Sequence, residues 1–217
     1  MIIDCISDLH GNYPKLEGGD LLIIAGDLTA RDTHDEYVVI MSWLEKQKYT
    51  KKILIAGNHD NKIQEGLDFD FPDLGIEYLE DSKTEFEGLK IWGSPWTKTF
   101  EGMNPHCKAF TVDTEEELAY KFSLIPNDID ILITHGPPFS IRDGKNPDHN
   151  LGSNSLINKT SKINLLFHIF GHIHEGYGVM DMRWLKLKNG FKGAVYINCS
   201  HVNEYYKPVN KPIRVIL

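Results

Sequence analysis

Two aspartates, an asparagine and four histidines stand just past apolar runs of this chain: Asp8, His10, Asp27, Asn58, His135, His172 and His174. Carboxylate, amide and imidazole donors without thiolate suit a pair of hard to borderline divalent cations. Two such cations sharing one site commonly serve the cleavage of phosphate esters. The donors fall in five motifs in chain order: Asp8-Leu9-His10, Gly26-Asp27, Gly57-Asn58-His59-Asp60, His135-Gly136 and Gly171-His172-Ile173-His174. Any one of these is common by chance. The ordered set of five is not.

Each motif needs an element to place it, and each follows a β-prone run, at residues 2–7, 21–26, 53–57, 131–134 and 165–170. In extended chain, side chains two apart share a side, so Asp8 and His10 are expected to reach one way, and His172 with His174 likewise. If these strands lie in sheets with aligned ends, the donors converge on the carboxyl rim, where open α/β sheets bind ligands. Glycines at 26, 57, 136 and 171 allow tight turns and close backbone approach there. Capping boxes at Thr33–Glu36 and Thr114–Glu117 predict two helices, the first with Tyr37, Ile40, Met41 and Leu44 on one face, the second ahead of Leu118, Phe122 and Ile125. A third helix is expected over about Asn154 to Lys162. Residues 83–86 and 89–93 read as a hairpin turning at Glu87-Gly88, and residues 194–198 and 213–217 as late strands. Two mixed sheets with helices outside fit this order.

The length of 217 residues fits a single domain, 1–217, and 41% hydrophobic with 25% charged residues is ordinary for a globular protein. No apolar run approaches the roughly 20 residues that span a bilayer. The chain opens into a strand rather than a basic-then-apolar leader, so a cytoplasmic protein is expected. A net charge of −8 argues against strong non-specific nucleic-acid binding, but leaves a nucleotide open as a small phosphate-ester substrate. Cys5, Cys107 and Cys199 are scattered and read as free thiols, buried or idle. No pattern sets an oligomeric state.

The five motifs, together with Gly93-Ser94-Pro95-Trp96, Thr134 through Pro138, Arg142-Asp143, Gly171 through Gly178, Ile197 through Ser200 and Pro208 through Pro212, carry a further inference. On them the chain resembles the calcineurin-like metallophosphoesterase superfamily. It is most similar to the small metallophosphoesterase-domain proteins and the class III cyclic-nucleotide phosphodiesterases. The resemblance implies an α/β fold, a four-layer αββα sandwich of two mixed β-sheets flanked by helices. It implies Asp8, His10, Asp27 and His174 on one metal, and Asp27, Asn58, His135 and His172 on the other, with Asp27 bridging. Mn²⁺ is the expected ion, with Fe, Zn²⁺, Ni²⁺ and Mg²⁺ compatible. His59 is implied to contact the phosphate and protonate the leaving oxygen, work for which imidazole is suited, with Asn58 positioning beside it. The implied reaction is attack of metal-bound hydroxide on a phosphodiester, cyclic nucleotides among the candidates. A phosphomonoesterase or pyrophosphatase, a nuclease, and a metal-binding scaffold without catalysis stay open as alternatives.

Protein Ser/Thr phosphatases carry an acidic residue and Arg-Gly soon after Gly-Asp. Here Gly26-Asp27-Leu28-Thr29 runs into Ala30-Arg31-Asp32, so the acid that would polarise His59 is missing from its usual place. Trp96 is the foremost aromatic on which a base could stack, with Trp92, Phe100 and His106 nearby, core packing being the competing reading. Arg142 is a candidate to bind phosphate or to brace the loop after His135. Asp60 either orients the His59 loop or is a solvated turn carboxylate. His201 stands near enough to a strand end to reach the site. His168 is expected in the core, and His34 and His149 on the surface.

Overall fold

Unbroken Ile, Leu and Val runs make strands that bury both faces, as parallel strands under helices must. A computed structural model describes residues 1–67, 71–100, 102–144, 150–186, 190 and 193–217; His149 lies outside them. In chain order the elements are β1 (Ile2–Ile6), β2 (Gly19–Ala25), α1 (His34–Glu45), β3 (Tyr49–Ile55), α2 (Asn61–Gln64), β4 (Ile76–Tyr78), β5 (Ser82–Phe86), β6 (Leu89–Ser94), β7 (Thr97–Lys98) and β8 (Thr111–Val112). There follow α3 (Glu115–Ser123), β9 (Ile131–Thr134), α4 (Asn154–Thr160), β10 (Phe167–Phe170), β11 (Gly178–Asp181), β12 (Val195–Asn198) and β13 (Ile213–Ile216).

One sheet has the order β13-β1-β2-β3-β4 and the other β11-β12-β10-β9-β6-β5. The interior strands of both run parallel, with antiparallel β13, β11 and β5 at edges. Alternation along the strands divides the core into three. Ile3, Cys5, Ile23 and Ile55 of the first sheet meet Ile91, Ile133, Ile169 and Ile197 of the second between the sheets. Leu22, Ile24 and Leu54 face outward onto Tyr37, Ile40, Met41 and Leu44 of α1. Leu132 and Phe170 face outward onto Leu118, Phe122 and Leu156 of α3 and α4. This is the expected helix–sheet–sheet–helix layering. Each fully buried Ile or Leu contributes about 1.5–3 kcal/mol by leaving water.

Both capping boxes form, Thr33 with Glu36 and Thr114 with Glu117. The third helix stops at Thr160, two residues before the expected end, with Ser161 as its C-cap. Glu87 and Gly88 both have positive φ, 50° and 79°, in the hairpin between β5 and β6, as a two-residue type I′ turn requires. The short elements α2, β4, β7, β8 and β11 were not expected, since two to four residues carry no readable period. At the carboxyl ends of the strands the two sheets are joined directly. Ser7 N–H donates to Cys199 O at 3.0 Å, and His201 N–H to Ser7 O at 2.8 Å. The five motifs meet at this seam.

Candidate metal centre

The strand ends must turn sharply to aim their donors inward. Asp8, His10, Asp27 and His172 all take left-handed backbone, φ 52°, 42°, 56° and 66°, a region costly for most residues and most tolerated by Asn, Asp and His. The turns are pinned by backbone bonds: Asp8 N–H to Gly26 O at 2.9 Å and His10 N–H to Asp27 O at 3.1 Å. The extended-chain expectation is therefore corrected. Asp8 and His10 do converge, through left-handed backbone, but His172 and His174 part company. His174 joins Asp8 and His10, whereas His172 joins Asp27 and His135.

In the first group His174 Nε2 lies 3.3 Å from Asp8 Oδ1 and 3.4 Å from His10 Nε2. Its Nδ1 faces Asn203 O at 3.1 Å. A carbonyl only accepts, so Nδ1 carries the hydrogen and Nε2 presents a lone pair. In the second group His135 Nδ1 donates to Ala25 O at 2.8 Å. Its Nε2 then faces two oxygens, Asn58 Oδ1 at 3.1 Å and Asp27 Oδ1 at 3.3 Å. The Asn58 amide is oriented by its own Nδ2, which donates to Cys107 O at 3.1 Å. Both groups thus collect acceptors against acceptors, an arrangement a cation resolves. Donors about 2.0–2.2 Å from one ion lie roughly 3–3.5 Å from each other, and these separations match. The residues fit a divalent metal pair.

Protons can bridge the same groups where no ion does. Burial would raise the Asp8 carboxyl, but the hydrogen bond and charge of His174 hold it below the usual range. Burial would lower His135, but the Asp27 charge overcomes it and pushes the imidazole up to about 9. Burial takes His10 down to about 4 and His172 to about 3, which keeps both rings neutral and able to ligate.

His59 forms a third donor cluster with His10 and Asp27, at longer range than the contacts of the other two. Its Nε2 is 4.0 Å from Asp27 Oδ2, its ring stands edge-on to His10 at 4.6 Å, and its N–H donates to Asp27 Oδ1 at 2.9 Å. The group facing His59 Nδ1 is the Cys107 thiol, Sγ at 3.4 Å. Cys107 is thus buried but not idle, and it stands where a phosphatase acid would be sought. Asp60 is not a solvated carboxylate. Fully buried, it accepts the N–H groups of Gly57 at 2.8 Å, Asp27 at 3.0 Å and Leu28 at 3.1 Å. It ties the Asp27 loop to the Asn58 loop. Burial and the Asp27 charge push it up to about 7.

Other expectations shift. The Arg142 guanidinium donates to Val179 O at 3.0 Å and packs over Gly178, so it braces the turn after His174 and does not enter the cleft. Trp96 lines a cavity beside the site, but its indole N–H is held by Asp81 at 2.8 Å and Lys121 Nζ sits 3.4 Å from its ring centroid. That ring face is not open to a base. His201 bonds Asn210 O at 2.7 Å and lines a different cleft. His168 is buried and His34 exposed, as expected. Sequence reasoning missed Tyr206, whose ring stands edge-on to His10 at 4.9 Å and to His174 at 5.3 Å. It lies in an irregular tail with no pattern to mark it.

Comparison with known proteins adds an independent line. A family model described as calcineurin-like phosphoesterase matches residues 1–176. Metallophosphoesterase domain-containing protein 1 of Homo sapiens is 33% identical over 98% of this chain, the match taking in 70% of the human protein. Among solved structures, TT1561 of Thermus thermophilus is similar with a TM-score of 0.64 at 16% identity, covering 91% of this chain and 88% of that one. Phosphopantetheinyl hydrolase of Mycobacterium tuberculosis gives 0.60 at 16% identity, covering 99% and 95%. At that identity both structures speak to fold alone.

Proposed function

The chain belongs to the calcineurin-like phosphoesterase family, and on that premise we propose that this metal-dependent phosphoesterase hydrolyses phosphodiesters at the cleft around Asp27. The observation that carries the reading is the sharing of Asp27 between two donor groups. Oδ1 faces His135 at 3.3 Å and Oδ2 faces His10 at 3.6 Å. Asp8, His10 and His174 would hold one ion, Asn58, His135 and His172 the other, with Asp27 common to both. Mn²⁺ is the ion we favour. Ions bound there would neutralise phosphoryl charge and make water a nucleophile near neutral pH.

The protein's own groups do the rest. His59 Nε2 opens into the cleft while Nδ1 rests on Cys107, so Nε2 can hold a proton and pass it to the leaving oxygen. The Asn58 amide, whose Nδ2 donates to Cys107 O at 3.1 Å, keeps the loop that carries His59 in place. A diester preference is supported by the cleft wall. It contains Glu175 and Glu204 and neither Lys nor Arg among the described residues. Beyond the ions, a dianionic monoester would meet two carboxylates and no cationic side chain among the described residues, whereas a diester brings one negative charge. A small phosphate ester, with cyclic nucleotides among those to be tried, is the substrate class. The cytoplasm is the setting we propose, supported by three cysteines that all remain free thiols.

The test is a metal-reconstituted assay of bis(4-nitrophenyl) phosphate, 4-nitrophenyl phosphate and a cyclic nucleotide on one preparation. We expect the higher kcat/KM on the diester. A monoester preference overturns the reading.

A further inference from the structure

We propose that the cavity beside the metal centre receives one apolar ester arm of the substrate, so that the preferred phosphodiesters carry an alkyl or aryl group there. The inference rests on the phosphodiesterase reading and names its substrate class. The cavity measures about 710 Å³, within the usual range for small-molecule sites. It is not a separate hollow. Phe100, Leu151, His172 and Ile173 line both it and the cleft that contains Asp27 and His59. A phosphorus held at His172 would therefore have one ester oxygen directed along a wall these four residues share.

The chemistry of the wall selects the occupant. Beyond the junction its open carbon comes from half-buried Trp96 and Phe139 over a buried floor of Leu118, Phe122 and Leu156, interrupted by threonine, serine and asparagine side chains. Of its two charged residues Lys98 is exposed, and the Glu115 carboxylate is already taken by Ser153 Oγ at 2.6 Å, Ser155 N–H at 2.6 Å and Ser155 Oγ at 2.7 Å. At the junction Phe100 is 57% and Leu151 60% exposed, large apolar side chains left in water at the mouth of a polar site. An apolar arm would cover both. A second phosphate would meet the Glu115 carboxylate beside the one lysine among the described lining residues, and much of a nucleoside's polar edge would lie against carbon, where an unmade hydrogen bond is costly.

The experiment compares arms that differ only in apolar length. Dimethyl phosphate and methyl hexyl phosphate are titrated calorimetrically into the metal-loaded protein. In parallel, kcat/KM is measured for methyl and hexyl 4-nitrophenyl phosphate, which share a leaving group. Burial of methylenes is worth about threefold in affinity each, so the hexyl arm should bind at least about tenfold tighter. Phe139→Trp narrows the cavity and Leu151→Asp places charge at the exposed mouth. Each should bring the hexyl-to-methyl ratio of dissociation constants to within about twofold, and the second stands if the first fails to fold. Equal binding of the two phosphates by the wild-type protein overturns the inference, as does a chain-length preference that survives in the folded variants. Chain-length-dependent binding without turnover of either nitrophenyl ester upholds the cavity and removes the activity. Turnover of both esters at equal kcat/KM, with equal binding, upholds the activity and removes the cavity.

Discussion

Asp27 Oδ1 lies 3.3 Å from His135 Nε2, and that nitrogen has no hydrogen to give while the ring is neutral, because Nδ1 already donates to Ala25 O. The other Asp27 oxygen lies 3.6 Å from His10. One carboxylate thus serves two clusters. Asp27→Asn should cut the divalent metal retained after reconstitution from two per chain to one or none, whereas His174→Ala should weaken chiefly one ion. Elemental analysis of dialysed protein checks this, and an Asp27→Asn protein that keeps both ions contradicts the sharing.

His59 lines the cleft and meets the Cys107 thiol through Nδ1, and its Nε2 stands 4.0 Å from Asp27, farther than the nitrogens of His10 and His135. His59→Ala should keep its metal and lose turnover. General-acid help is worth about 10²–10⁴-fold. The loss should be near that size for alkyl esters, whose leaving oxygen needs a proton, and much smaller for nitrophenyl esters. Equal losses on both, or loss of metal, would move His59 to a binding or structural role.

The layered fold was legible because parallel strands buried on both faces must be written as apolar runs, and because Thr33 with Glu36 and Thr114 with Glu117 mark helix starts locally. The seven donors were legible because few residue types bind hard cations. What lay beyond reach is set by tertiary approach. Cys107 comes to His59 across 48 positions, and Asp60 to the Asp27 N–H across 33. Tyr206 arrives from an irregular tail. The pairing of His172 with His174 failed for a local reason: positive φ at His172 breaks the extended geometry on which an i, i+2 argument depends. For Arg142 the phosphate and the loop stayed open together because a guanidinium held by Val179 O cannot be told in sequence from one that reaches the cleft.

His168 links this architecture to acid stability. Thr134 Oγ1 donates to Gly136 O at 2.7 Å, so it accepts from His168 Nε2 at 2.9 Å. The buried Nδ1 has no partner among the described residues, and protonating it would strand a donor in the core. Burial accordingly holds the imidazole down to about 3, against an ordinary value of 6.5. The folded state therefore binds fewer protons than the unfolded one between those values. The stability is complete above about pH 6.5 and is lost as pH falls toward 3. Each pH unit in the window is worth about 1.4 kcal/mol, so roughly 2 kcal/mol should be gone by pH 5. Stability from urea melts at pH 7.5 to 5 should fall less steeply in His168→Leu than in the wild type by this amount, since His10 and His172 are depressed in both. Equal slopes would remove His168 as the cause.

Gly171 offers the sharpest steric test of the site. Its N–H is bound to His135 O at 2.9 Å, and the next residue's N–H donates to both Asp8 oxygens at 3.0 Å. This draws the turn so close to β1 that a Cβ at Gly171 would collide with Asp8 Oδ2 and with Ser7 Oγ. Neither atom can retreat. Ser7 Oγ donates to Ala25 O at 2.9 Å, and Asp8 is fully buried against the seam between the sheets. Gly171→Ala must therefore push Asp8 off His174 or open the seam. Overpacking of this kind typically costs about 1–3 kcal/mol, a fall in stability measurable by urea denaturation without metal. The ion held by Asp8, His10 and His174 should weaken more than the one beside His135. Isothermal titration with Mn²⁺ should then resolve one impaired and one nearly normal binding step. Two unaltered steps would show that Asp8 takes no part in holding metal.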